Sequence, residues 1–138
     1  LGDSFSPIGN QKWWRRGEVK STLDQQPLEA ASSILACVEA ANIFTSADAE
    51  PETDWAELAG VAFNWFMGGN LLGRSLYDPN TGGCCDGLCR GGINQNQGAE
   101  SLLAFQLSLV ALKRMKAAVQ STSPGPVPTT FSTHLQQL

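Results

Sequence analysis

An all-α fold, with about three main helices and a long, ordered, glycine-rich loop, is what this 138-residue sequence predicts. Three observations carry the prediction. Apolar residues recur at three-and-four spacing in three separate stretches, the period of a helix face. Each stretch opens with a capping or acidic residue of the kind that suits a helix N-terminus. Nine of the 14 glycines (Gly68, Gly69, Gly73, Gly82, Gly83, Gly87, Gly91, Gly92 and Gly98) crowd between the second stretch and the third.

Residues 1–23 are mixed and aperiodic and read as an extended lead-in, with an aromatic-basic cluster, Trp13-Trp14-Arg15-Arg16, ahead of Gly17. The helical part spans 24–119. Its first helix is expected from Asp24, an N-cap residue, with Pro27 in the first turn and Glu29 on the positive end of the dipole. Leu28, Ala31, Leu35 and Val38 form one apolar row, and Ile34, Cys37, Ala41 and Phe44 a second, so most of its circumference is expected to be buried. A loop around Ser46–Thr53, broken by Pro51, leads to a second helix. Asp54 and Glu57 make a capping-box-like start, Leu58, Ala62, Trp65 and Phe66 an apolar stripe, and Gly68-Gly69 the stop.

The connection from Gly69 to Gln97 is far longer than the ~12–15 residues beyond which loops become uncommon. It holds Leu71, Leu72, Leu76, Tyr77, Leu88 and Ile93 with few charges, so order is expected rather than a solvated linker. The third helix should begin near Asn96 or Gly98. Its Leu102, Leu103, Phe105, Leu107, Leu109, Val110, Leu112 and Met115 nearly encircle the axis, which predicts a core helix. Residues 120–138, with Pro124, Pro126 and Pro128, read as a Pro-rich flexible tail. Helices apolar on so many sides need more neighbours than three helices provide. The expectation is a piece of a larger helical array or a subunit interface.

The length suits one domain, able to bury about two-thirds of its unfolded surface. A net charge of −4 and a pI near 4.8 argue against nucleic-acid or anionic-membrane partners, which need clustered Lys and Arg. No apolar run approaches the ~20 residues of a bilayer span, and no signal peptide opens the chain, so a cytoplasmic protein is expected. Leu1 in place of Met suggests a processed or excised piece.

Two helix heads could carry chemistry. Asp24-Gln25-Gln26-Pro27-Leu28-Glu29 places carboxylates and carboxamides where free N–H groups and a positive field favour hydroxyls or an anion. A plain cap and a dipole partner are the simpler account of Asp24 and Glu29. Asn94-Gln95-Asn96-Gln97-Gly98-Ala99-Glu100 repeats the composition. Amides that both donate and accept match the vicinal hydroxyls of a sugar, and a polar capping loop through Asn96 explains them equally. If the two helices run the same way, Glu29 and Glu100 could meet in one cleft, the carboxylate pairing of glycoside chemistry.

Trp13 and Trp14 could stack on a sugar or plug the flank of the first helix. Tyr77 is a candidate pocket wall, and Asp78-Pro79-Asn80-Thr81-Gly82 reads as a turn. Cys84, Cys85 and Cys89 lack the spaced pairs or nearby His of a zinc site, so no metal is expected. A disulfide from Cys89 to Cys84 or Cys85 is open, and free thiols are the simpler expectation. No Ser/His/Asp set, Walker loop or dinucleotide fingerprint is present, so no cofactor is expected, and His134 stands alone in the tail.

Four strings in order, LDQQPLEA (23–30), FNWFMGGN (63–70), YDPNTGGCCDGL (77–88) and NQNQGAESLLA (94–104), resemble the helical domain that follows certain bacterial glycosyltransferases. That domain is similar to the six-hairpin, or (α/α) toroid, glycosidase-like proteins. The resemblance covers roughly residues 9–118. It implies the last part of such a toroid, with a cleft at the heads of its inner helices. Matching polar positions are Asp24, Gln25, Gln26, Glu29, Asp78, Gly82, Gly83, Asp86, Gly87, Asn94, Asn96, Gln97, Gly98 and Glu100. Cys89-Arg90-Gly91-Gly92 and Leu102 depart from the pattern, and three helices are too few to close a toroid.

The expectation is therefore a carbohydrate-binding or carbohydrate-processing domain. Asp24, Glu29 and Glu100 would be the acids of a glycosyl transfer or hydrolysis. Trp13, Trp14, Gln25, Gln26, Tyr77, Asp78, Asp86, Asn94, Asn96 and Gln97 would hold the saccharide. The alternative is a non-catalytic assembly module, packing on an N-terminal domain of a longer protein or on a second copy as a homo-oligomer.

Overall fold

The computed structural model describes residues 4–45 and 53–122. Most of the loop expected at Ser46–Thr53, the Pro-rich segment after Thr122 and His134 lie outside the described residues. Three helices carry the fold, α1 (Pro27–Thr45), α2 (Trp55–Asn64) and α3 (Ala99–Thr122). Between α2 and α3 lies a hairpin of two short antiparallel strands, β1 (Gly87–Cys89) and β2 (Gly92–Asn94).

The hairpin corrects the all-α expectation: the fold is mostly helical with a small sheet. Leu88 explains why a strand forms in so glycine-rich a loop. It pairs with Ile93 across the hairpin. On its other edge its N–H and C=O exchange hydrogen bonds with Gln25, at 2.9 and 3.0 Å. Arg90-Gly91 is the two-residue turn, so the departure at Cys89-Arg90-Gly91-Gly92 is a hairpin tip.

α1 and α2 form an antiparallel pair. Phe44, at the end of α1, stacks on Trp55, at the start of α2, with centroids 6.2 Å apart. At the other end Trp65, just past α2, meets Gln25, just before α1. The start of α2 is local chemistry: the Asp54 carboxylate accepts from the Glu57 N–H at 2.8 Å, as its spacing predicted. Its exit tightens into i→i+3 bonds, and Gly68 takes φ +112° while the Gly69 N–H returns to the Asn64 carbonyl. α1 starts later than predicted. Pro27 is its first residue, and Glu29 reaches back to the Gln26 N–H at 2.8 Å, so Asp24 is not its cap.

α3 runs alongside α1 in the same direction. Gln26 and Pro27 share a depression with Gly98, Ala99, Glu100 and Ser101, while Leu35, Val38 and Asn42 share another with Leu107, Ala111, Arg114 and Ala118. Phe105 joins the bundle by stacking on Phe63 and meeting Phe66 edge-on. The core takes Ala30, Ile34 and Val38 from α1, Trp65 and Phe66 from the α2 exit, and Phe105, Leu112 and Met115 from α3. The long loop adds Leu76, Cys84, Cys85 and Leu88. This apolar anchorage is what orders it.

Neither α1 nor α3 is buried all round. Leu28 and Leu35 of α1 and Leu103, Leu107 and Val110 of α3 are exposed. With one neighbour on each inner side, these helices have nothing among the described residues to cover the outer row. α3 also continues past residue 119, to Thr122.

Candidate functional site

Asp86 organises the head of α3. It follows the two buried cysteines, and its carboxylate accepts the Gly98 N–H at 2.8 Å, the Ser101 hydroxyl at 2.5 Å and the Asn96 amide. Its own N–H is bonded to the Asn94 and Asn96 carbonyls. Asp86 therefore fastens the head of α3 from a loop more than ten residues upstream, placing a carboxylate at the positive end of the dipole. The Ser101 hydroxyl, aided by Gly98 and Asn96, outweighs burial and holds the carboxyl below the usual range. Gly98 leaves room for this approach, since a β-carbon there would sit 3.0 Å from an Asp86 oxygen, a tight contact.

Three depressions adjoin around this point. The first, about 350 Å³, lies between the heads of α1 and α3 and is lined by Gln26, Pro27, Asp86, Asn94 and Glu100 among others. The second, about 230 Å³, shares Gln26, Asp86 and Asn94 with it and adds Asp24 and Asn10. The third, about 560 Å³, shares Asn10 and reaches Trp13, Trp14, Glu29 and Ser33. The lead-in walls the last two because it folds back on α1: the Asn10 N–H bonds the Asp24 carbonyl at 3.0 Å and the Gly9 N–H the Ser21 carbonyl at 2.7 Å.

The predicted site residues fall into distinct groups. Asp24, Gln26, Asp86, Asn94 and Glu100 line the two depressions at the helix heads. Glu29 does not meet Glu100 in one pocket; it lies in the depression with Trp13 and Trp14. Burial pushes the Glu29 carboxyl up, against the opposing bond from the Gln26 N–H. Trp13 is 95% exposed, and Trp14 is held by its indole N–H on the Glu18 carbonyl at 2.7 Å.

Gln25 borders the second depression but turns its side chain inward. Its side chain is fully buried and its amide is satisfied from within: the NH2 donates to Ser6 Oγ and the Pro7 carbonyl, and the oxygen accepts from Trp65. A side chain so enclosed does not reach a ligand. Tyr77 is half-buried, its ring stacked on Phe105 at 4.8 Å as part of the core's edge. Asp78 closes its own turn, accepting the Asn80 N–H at 2.9 Å, and that bond chiefly lowers its pKa. Gln97 accepts the Thr81 hydroxyl at 2.9 Å and reaches Asp78, so it ties this turn to the α3 head. Asn96 is engaged by Asp86.

Sequence reasoning missed Asn10, Ser6 and Ser101. Ser101 carried a signal, a hydroxyl in the first turn of a helix. Asn10 and Ser6 carried none, because their place depends on the lead-in folding back.

All four cysteines are free thiols. Cys84 is fully buried and its thiol is pushed up to about 12, first by burial and then by Cys85 and Asp86. Among the described residues no cluster of three His, Cys, Asp or Glu side chains could hold a metal ion, and no helix is long and apolar enough to cross a membrane. Nor does any buried side-chain polar atom there lack a hydrogen-bond partner. Compared with known proteins, the chain matches no family model, no curated protein and no solved structure.

Proposed function

We propose that this chain is a carbohydrate-binding or carbohydrate-processing helical domain, the last part of an (α/α) toroid that works with a glycosyltransferase. One observation carries the reading. Two parallel helices bring their heads together at two adjoining polar depressions, one lined by Asp24 and the other by Glu100, which share Gln26, Asp86 and Asn94. Carboxylates and carboxamides on open N-terminal turns offer both acceptors and donors to sugar hydroxyls. Asp86 is committed to α3, so Asp24 and Glu100 are the acids available at that end. Glu29, whose proton is held more tightly through burial, suits a proton donor at the other. The chemistry open to such acids is glycosyl transfer or glycoside hydrolysis. Four free thiols fit a reducing, cytoplasmic setting.

The test is calorimetric titration of the protein and of Glu29→Gln and Glu100→Gln with a saccharide panel. Weakened binding in either variant supports the reading. Unchanged binding in both overturns these acids as ligand contacts.

A second reading is favoured by the apolar groove of about 410 Å³ between α1 and α3, where Leu35, Leu107 and Val110 are exposed. Glu39 borders it on α1 and Arg114 on α3. A two-fold pairing of copies sets each acid against the partner's base, so the occupant proposed is a second copy of this chain. Light scattering on dilution decides it: a monomer at all concentrations overturns this reading.

A further inference from the structure

We infer that the ligand is an extended oligosaccharide, with the Trp13-Trp14 arm as a further subsite at the Glu29 end of the row, apart from Asp24 and Glu100. The inference rests on the carbohydrate reading above and specifies its substrate class. The three depressions form a row, because each shares lining residues with the next: Asn10 joins the first pair, and Gln26, Asp86 and Asn94 join the second. The row begins at two indoles and ends at Glu100, so one sugar ring cannot engage both ends. The indole end is built to receive a ring. Trp13 is almost wholly bare to solvent, which is costly for so large an apolar face, and Trp14 beside it is oriented by its bond to Glu18. Around them stand Asn10, Lys12, Glu29 and Ser33, donors and acceptors at the rim of an apolar floor. An apolar face ringed by hydrogen-bonding groups matches a pyranose, which presents C–H bonds on its face and hydroxyls at its edge.

The arm holding the indoles is itself anchored. Buried Gln25 bonds Ser6 and Pro7, Lys20 donates to the Ser6 carbonyl at 2.6 Å, and the Asn10 N–H bonds the Asp24 carbonyl. The backbone leading to the platform is thus tied to the head of α1, beside Asp24. A ligand long enough to span the row gains the stacking contact without a second loss of rotational and translational freedom.

The experiment is calorimetric titration with malto-, cello-, manno- and chito-oligosaccharides, each series running from the monosaccharide to the hexasaccharide. The native protein, Trp13→Ala and Glu100→Gln are compared. Trp13 packs on so little that its removal leaves the fold intact. Expected is an affinity that rises with length in the series that binds. Trp13→Ala should lower it about tenfold for the long members (~1.4 kcal/mol) and leave the short ones unchanged, while Glu100→Gln weakens every length. Affinity independent of length, or a Trp13→Ala loss equal at every length or absent, overturns the further subsite and leaves the carbohydrate reading standing. Binding of none of the series overturns both.

Discussion

The indole N–H of Trp65 donates to the side-chain oxygen of Gln25 at 2.9 Å, and both side chains are fully buried. This bond joins the exit of α2 to the head of α1. Through the rest of Gln25 it also reaches the lead-in and β1. Gln25→Leu strands the Trp65 N–H and releases Ser6 and Pro7. Each buried polar group left unpaired costs about 1–3 kcal/mol. Urea unfolding should show Gln25→Leu destabilised by about 2–4 kcal/mol, with Trp65→Phe also destabilised. A midpoint equal to the parent's in Gln25→Leu would show that the junction does not depend on this side chain.

Asp86 should control the stability of α3. Asp86→Ala removes the carboxylate at the helix head and leaves Gly98 and Ser101 without their acceptor, a loss of about 1–2 kcal/mol. Its folded pKa lies below the ordinary 3.8 of an aspartate, so the carboxylate's contribution is complete above that pH and disappears as acid protonates the folded form. The parent's stability should therefore fall below pH 4 more steeply than that of Asp86→Asn. Equal acid slopes in the two proteins would refute this role.

Gly87 should tolerate no side chain. Its φ is +143°, and a β-carbon there would collide with the Gln25 carbonyl oxygen, which is bonded to the Leu88 N–H. Gly87→Ala should cost about 1–3 kcal/mol, whereas Gly91→Ala at the hairpin tip, with open space around it, should cost less than 1 kcal/mol. Thermal unfolding of the pair reads the difference directly.

The thiols should differ sharply in reactivity. A disulfide reagent at pH 8 should label half-buried Cys89 before Cys84, which is enclosed and protonated up to about pH 12. Because an unfolded thiol ionises near 9, the stabilisation from keeping Cys84 neutral is complete below pH 9 and is lost as pH rises towards 12. Cys84→Ala should flatten that alkaline decline. Labelling of Cys84 as fast as Cys89 in the folded protein would overturn the assignment.

The parts of this protein legible in its sequence are those built from neighbours in the chain. The Asp54 cap and the three helical periods each depend on groups a few residues apart, and the structure holds them. By contrast α2 ends at Asn64, so Trp65 and Phe66 lie past the helix and ahead of the expected Gly68-Gly69 stop. The start of α1 lies two residues later than expected, because Asp24 and Gln26 both stand ahead of Pro27. Only the Glu29 bond back to Gln26 distinguishes them. The β-hairpin was illegible for a different reason. Gly87-Leu88-Cys89 has little strand character of its own and is made a strand by pairing with Ile93 on one side and Gln25 on the other.

The same division runs through the candidate site. By itself the sequence determined that two helix heads would carry acids and carboxamides and that the glycine-rich loop would be anchored by apolar residues. Tertiary structure alone decided which of those groups face outward. It turned Gln25 inward to Trp65, committed Asp86 to the head of α3, placed Tyr77 on Phe105 and separated Glu29 from Glu100. The physical reason is that composition and spacing specify which hydrogen bonds a segment can make. Which ones it does make depends on partners brought close only when distant segments pack.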